Sequence, residues 1–432
     1  MDPTLILIIV LTFAFAATHL EERLLGARSA LIISLEYVLI GVLVGPWGLG
    51  LFGGDGLASL KPLLGVVTGF AGFLVGLPFN LRGVRRRARG TTRFAIVTAL
   101  GTAGAVGGLA WATLWFTDLV PEVEPTMLGI AAVTLGLGAT MTSVESIRAG
   151  ITAAAADGPL SRLLPTAAQW MAVLAVLAFG IALALQRSHA TRLTAVGPIV
   201  WVGIAALSGV GLGLIFHAFV GDERDEKKLF VATIGVVALA SGLAHALSFS
   251  PLFVNMVCGA TIATTSRVAP ALIATDVRLR RPVFALLLLL AGASWQPIPV
   301  GLWVIPVGFI AARVIALRIS ARLAVMVAAT DIDTSLPRVG NGLLAQGPLV
   351  AAVAVDYWAV ADAPDLGGLV LTTLLLSAVV NEMWAAATLG RVIRNAGEGG
   401  RVPAPAPSPA APAAAGDDAA PSPPGQTPEV AA

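Results

Sequence analysis

Long apolar runs repeat along the chain, and polar residues gather in the short stretches between them. A helix needs about 20 apolar residues to cross about 30 Å of hydrocarbon. Read against that length, the pattern predicts thirteen spans, at 3–19, 29–52, 60–79, 92–117, 126–152, 160–186, 194–216, 229–247, 251–266, 281–297, 299–328, 338–358 and 366–390. The segments 251–266 and 281–297 are short for a crossing, and 299–328 is long enough to carry an amphipathic end. From about Ala396 the pattern stops. The stretch PAPAPSPAAPAAAGDDAAPSPPG has nothing to bury and predicts a disordered tail. The expectation is an all-α polytopic membrane protein with a transmembrane domain over 1–395 and a Pro/Ala-rich tail over 396–432.

Composition agrees: 57% of residues are hydrophobic and 12% charged, with a mean hydropathy of +0.87, against about 25% charged in soluble domains. The arrangement of the small basic excess carries more than its size. Arg82, Arg85, Arg86, Arg87, Arg89 and Arg93 crowd the third loop, Arg278, Arg280 and Arg281 the ninth, and Arg391 and Arg394 follow the last span. Thirteen spans thread all three clusters to one side, which the positive-inside rule makes cytoplasmic. The acidic connections DLVPEVEP (118–125) and AVADAPDL (359–366) fall opposite. The N-terminus is then outside and the C-terminus in the cytoplasm, in the cell membrane. The first segment has neither a basic leader nor a small-residue cleavage site and reads as a retained span.

A single cysteine, Cys258, and four histidines leave little for disulfide or zinc chemistry. No Walker loop, dinucleotide fingerprint or Ser-His-Asp set is present, so no cofactor, nucleotide or nucleic-acid partner is expected, and no enzyme. Transport by such a chain must draw its energy from a gradient.

Polarity does enter the membrane. Arg313, Arg318 and Arg322 read as snorkelling from the cytoplasmic end of the eleventh span. The deep ionisable residues are Glu36 in the second span, Glu145 and Arg148 in the fifth, and Glu382 in the thirteenth. Gln169, Asn255, Asn341 and Gln346 add neutral polar groups. Such groups usually face a protein interior or a water-filled cavity and mark a pathway. Two spans combine polarity with helix-breaking residues: GLGATMTSVESIRAG (136–150) and RVGNGLLAQGPLV (338–350). A pair of interrupted helices, one in each half, points to a secondary transporter with inverted repeats and a midplane site. Glu145 can neutralise half-helix N-termini, while Thr140, Thr142 and Ser143 can replace lost backbone hydrogen bonds. The alternatives are close packing through small residues and mutual neutralisation of Glu145 and Arg148 at i, i+3 on a continuous helix.

Several stretches resemble the monovalent cation:proton antiporters, particularly the Kef-like branch. LEYVLIGVLVGPWGLGLF (35–52) is similar to that family's second span almost position for position. GFAGFLVGLPFNLRGVRRR (69–87) resembles its third, PVFALLLLLAGASW (282–295) a later span, and GNGLLAQGPLV (340–350) its second broken helix. The family's unwound helix carries Thr-Asp-Pro where this chain has Val144-Glu145-Ser146. Its next helix carries one or two ion-binding aspartates, which Gln169 and Trp170 replace here. The resemblance implies a homodimer that exchanges Na⁺ or K⁺ for protons by alternating access. Antiport of this kind needs a group that titrates near ambient pH, and Gln169 cannot release a proton. The coupling then falls to Glu145, with Glu36 and Glu382 as other carriers. Two further readings remain open: a transporter of the same fold that moves a neutral or anionic solute past Gln169 and Trp170, and a transport-inactive sensor or scaffold.

Overall fold

A computed structural model of the full chain describes residues 33–51, 60–79, 89–117, 123–190, 197–223, 225–328, 338–361 and 363–400. The described residues form helices and connections, with no strand among them. The expected first span, 3–19, lies outside them, as do Arg82–Arg87 of the third loop and residues 401–432 of the tail.

The helices are α1 (Ile33–Val44), α2 (Lys61–Gly76), α3 (Arg89–Phe116), α4 (Pro125–Thr140), α5 (Val144–Ala153), α6 (Pro159–Ala190) and α7 (Pro198–Val220). They continue with α8 (Glu226–Ala246), α9 (Pro251–Thr265), α10 (Ala269–Ala293), α11 (Val304–Ala328), α12 (Leu349–Val360) and α13 (Pro364–Asn395). Each expected span from 29–52 onward contains a helix or a broken pair. Many begin with proline in the first turn, where its missing N–H would have no helical partner. The chain is an integral membrane protein, and large apolar side chains on its perimeter, such as Leu100, Phe116, Ile199, Phe219 and Met326, stay exposed.

One boundary differs from the sequence expectation. Helix α10 starts at Ala269, not near 281, and runs through Arg278–Arg281 into its apolar half. Hydropathy marks where a helix is lipophilic, not where its backbone hydrogen bonds begin, so a leading segment of about three turns that ends in charge reads as loop.

Close packing is done by small residues. A Cβ on Gly72 or Gly76 of α2 would lie 2.0 Å from the Leu252 or Met256 carbonyl oxygen of α9, and one on Gly41 of α1 would meet the Leu289 carbonyl of α10. These glycines let helix backbones touch, the main source of helix cohesion where lipid is as apolar as the side chains.

After α13 the chain turns back. The Glu398 carboxylate accepts hydrogen bonds from the Leu160 and Ser161 backbone amides at 2.7 and 2.8 Å and from the Ser161 hydroxyl at 2.6 Å. It thereby caps the N-terminus of α6, a favourable place for negative charge.

Candidate functional site

Among the described residues two elements are interrupted, and they meet at their breaks. The first helix stops at Thr140, residues 141–143 are non-helical, and α5 restarts at Val144. Ser143 caps the restart, its hydroxyl accepting from the Ser146 amide at 3.2 Å. The stop needs no proline: Thr140 and Thr142 offer backbone acceptors an alternative to helix, Thr140 donating to the Leu137 carbonyl at 2.7 Å. In the second element Val339–Leu343 form a 3₁₀ turn, residues 344–348 are irregular, and α12 starts at Leu349 behind Gly347 and Pro348. The two run in opposite directions. Leu389 of α13 lies beside both Gly150 of α5 and Gly342 of the 3₁₀ turn, whereas Gly138 of α4 faces Leu374, nearer the end of α13 that follows α12.

The breaks are stitched together directly. The Ser143 amide donates to the Ala345 carbonyl at 2.9 Å, the Thr142 hydroxyl to the Leu343 carbonyl at 3.1 Å, and the Gln346 side-chain amide to the Gly138 carbonyl at 2.8 Å. A Cβ on Gly347 would stand 2.8 Å from the Ser143 hydroxyl, so the contact requires a glycine there.

Helix interruption leaves carbonyls at the end of one half-helix and amides at the start of the next, carrying partial charges of opposite sign. Each end has a matching group. At the carbonyl end stands Arg313 of α11, fully buried. Its guanidinium donates to Ala139 at 2.9 Å, Met141 at 3.1 Å and Leu344 at 2.9 Å, so one fork holds both breaks. At the start of α5 stands Glu382 of α13, 6% exposed, which accepts a hydrogen bond from the Ser146 hydroxyl. A buried polar run on α13 continues from it: Ser377 donates to the Gln346 side-chain oxygen at 2.7 Å, and Asn381 donates to Ser377 Oγ at 3.0 Å. The Glu382 Oε2 and Asn381 Oδ1 atoms are buried and have no hydrogen-bond partner among the described residues.

Of the residues expected from sequence, Thr140, Thr142, Ser143, Gln346 and Glu382 come together here. Glu145 occupies the first turn of α5, but its side chain is 46% exposed and pairs with Arg280 of α10. Arg148 is exposed and is not the partner of Glu145. Asn341 is half-buried and accepts from the Arg318 guanidinium at 2.7 Å. Gln169 is half-buried on α6. Beside it the buried Trp170 ring meets Phe79 edge-on at 4.7 Å, its Nε1 lacking a hydrogen-bond partner among the described residues. Glu36 is exposed on α1.

Arg313 corrects the sequence reading. It does not snorkel; it lies in the protein interior, while Arg318 and Arg322 of the same helix are exposed. Its position near the middle of 299–328 was the available signal, since a cation that far from either end cannot reach water. Asp356 of α12, 3% exposed, was also missed; it stands next to Tyr357 in an apolar run and breaks no helix.

No family model matches the sequence, and no curated protein does. The fold has solved counterparts. A structure of the sodium proton antiporter from Methanocaldococcus jannaschii at pH 8 superposes with a TM-score of 0.62 over 89% of this chain and 96% of that one, at 13% identity. An electron-microscopy map of the same antiporter gives 0.56 over 90% and 98%, at 15% identity. This chain shares the sodium/proton antiporter fold.

Proposed function

We propose that the protein is a secondary active transporter that exchanges a monovalent cation, Na⁺ or K⁺, for protons by alternating access. The observation that carries this reading is Glu382. It is a buried carboxylate with one unused oxygen at the junction of two interrupted helices, in a fold shared with a sodium proton antiporter. Exchange requires one group that takes either a proton or a cation, and an intramembrane carboxylate with a free oxygen can do both. Ser146, which donates to it, and Ser143, to which the Ser146 hydroxyl is also bonded, add hydroxyl oxygens able to replace part of an ion's hydration. Glu145 is the weaker carrier, because Arg280 already satisfies it at a half-exposed position.

The positive-inside rule places the Arg-rich end of the bundle in the cytoplasm, with the N-terminus outside. The Kef-like motifs support a homodimer in the cell membrane, each protomer with its own crossing.

The test is solid-supported-membrane electrophysiology and internal pH recording on proteoliposomes, with Na⁺, K⁺ and pH jumps applied separately. Wild type should move protons against one of the cations. Glu382→Gln should lose at least 90% of that exchange, and Glu145→Gln should keep most of it. The opposite pattern returns the coupling to Glu145.

A second reading rests on the Trp170 Nε1–H, a buried donor without a described partner beside Gln169. A donor suits a neutral or anionic solute better than a cation. Solute flux indifferent to a pH gradient would select it.

A further inference from the structure

A second polar site lies away from the crossing. A cavity of about 330 Å³ opens between the first turns of α2 and the last turns of α6, α8 and α12, lined among others by Lys61, Thr68, Gln186, His245, Phe249 and Asp356. Asp356 is 3% exposed and sits on α12 seven residues past Leu349, about 10 Å along the axis at 1.5 Å per residue. Its Oδ2 accepts from the Ser250 hydroxyl, and Ser250 in turn caps α9 by accepting from the Phe253 amide at 3.1 Å. A hydroxyl and a helix N-terminus balance the carboxylate only in part, and no salt bridge reaches it among the described residues. Gln186 is 8% exposed, and its side-chain oxygen has no hydrogen-bond partner among the described residues. The lining thus offers one unspent acceptor, the Gln186 oxygen, beside a carboxylate met by the Ser250 hydroxyl and the Leu252 backbone amide but by no cation among the described residues, among the apolar walls of Leu64, Leu183, Phe249 and Val355.

We propose that this cavity binds a small organic cation, an ammonium group on an apolar body, with Asp356 and the Gln186 side-chain oxygen as its polar contacts. Buried acceptors call for a donor, and a buried carboxylate calls for a positive one. The volume belongs to the range of small-molecule sites, about 300–1,000 Å³, far above a bare ion. No group of three or more His, Cys, Asp or Glu able to hold a metal exists among the described residues. The rim does not supply the cation. Lys61 is exposed, its ammonium 5.9 Å from the centre of the Trp358 ring, and His245 is exposed as well.

The test is calorimetric titration of the full chain in detergent with benzylammonium chloride, beside benzyl alcohol, NaCl and KCl at matched ionic strength. Saturable benzylammonium binding, with none for benzyl alcohol, is expected. Asp356→Asn and Gln186→Leu should each weaken it at least tenfold. Because Asp356→Asn also touches the cap of α9, Gly65→Val provides an independent occlusion: Gly65 lines the cavity, and the nearest atom to a Cβ there is Pro251 Cγ at 3.8 Å. Glu382→Gln should bind as wild type does, which separates this site from the exchange proposed above. Absence of saturable binding, equal binding of benzyl alcohol, competition by Na⁺ or K⁺ at equal affinity, or binding unchanged in both Gln186→Leu and Gly65→Val would each overturn the proposal.

Discussion

The crossing and the α2–α9 contact both bring backbones together inside the membrane, by opposite means. At α2–α9 both helices are continuous, every interior amide and carbonyl is spent within its own helix, and closeness comes from removing side chains at Gly69, Gly72 and Gly76. Polarity is local there: Asn255 donates to Ser241 at 3.0 Å and to its own helix at Pro251. At the crossing both helices are broken, carbonyls and amides are left over, and Arg313, Gln346 and Ser143 meet them, while Glu382 takes the Ser146 hydroxyl beside them. Without water, an unspent backbone group costs several kcal/mol, so polar side chains must gather where the helix stops. The difference teaches where this protein is rigid by contact and where it is held by groups that can exchange partners.

The sharpest way to break that contrast is Arg313→Met. It keeps volume and removes the donors to three buried carbonyls, each costing about 1–3 kcal/mol when orphaned. Fluorescence-detected size exclusion after heating should show loss of the monodisperse peak or a melting temperature lowered by ten degrees or more. Arg313→Lys, with a point charge in place of a fork, should fall between. A Met variant as stable as wild type would remove the arginine from the account of the breaks.

Next comes Gly72→Ala. A methyl 2.0 Å from the Leu252 carbonyl forces α2 and α9 apart, at about 1–3 kcal/mol. The same change at Gly104, where nothing lies within 4 Å, should be neutral or stabilise by up to about 1 kcal/mol. Equal losses at both would mean that contact does not explain the small residues. The smallest effect belongs to Glu145→Gln: with its side chain 46% exposed beside Arg280, the pair should contribute within about 1 kcal/mol, and the melting temperature should scarcely move.

The span pattern was readable because burial in lipid is set by composition over some twenty residues, and both interruptions were readable because hydroxyls, glycine and proline inside an apolar run leave local marks. The choice between carboxylates was not. Glu145 stands in the broken segment and drew attention; Glu382 stands in a continuous helix, 236 positions from Ser146, and nothing near it in sequence says which break it faces. Arg313 was misplaced for a related reason: hydropathy gives depth along one helix but not which neighbours cover it.

Sequence alone therefore determined the all-helical membrane class and the two places where helices stop, since both follow from solvation of each segment by itself. Tertiary structure decided that the breaks cross, that Arg313 serves their carbonyl ends, and that Glu382, not Glu145, lies buried at the junction. Those outcomes depend on which distant side chain reaches an unspent backbone group, and that is a property of packed helices that no single helix carries.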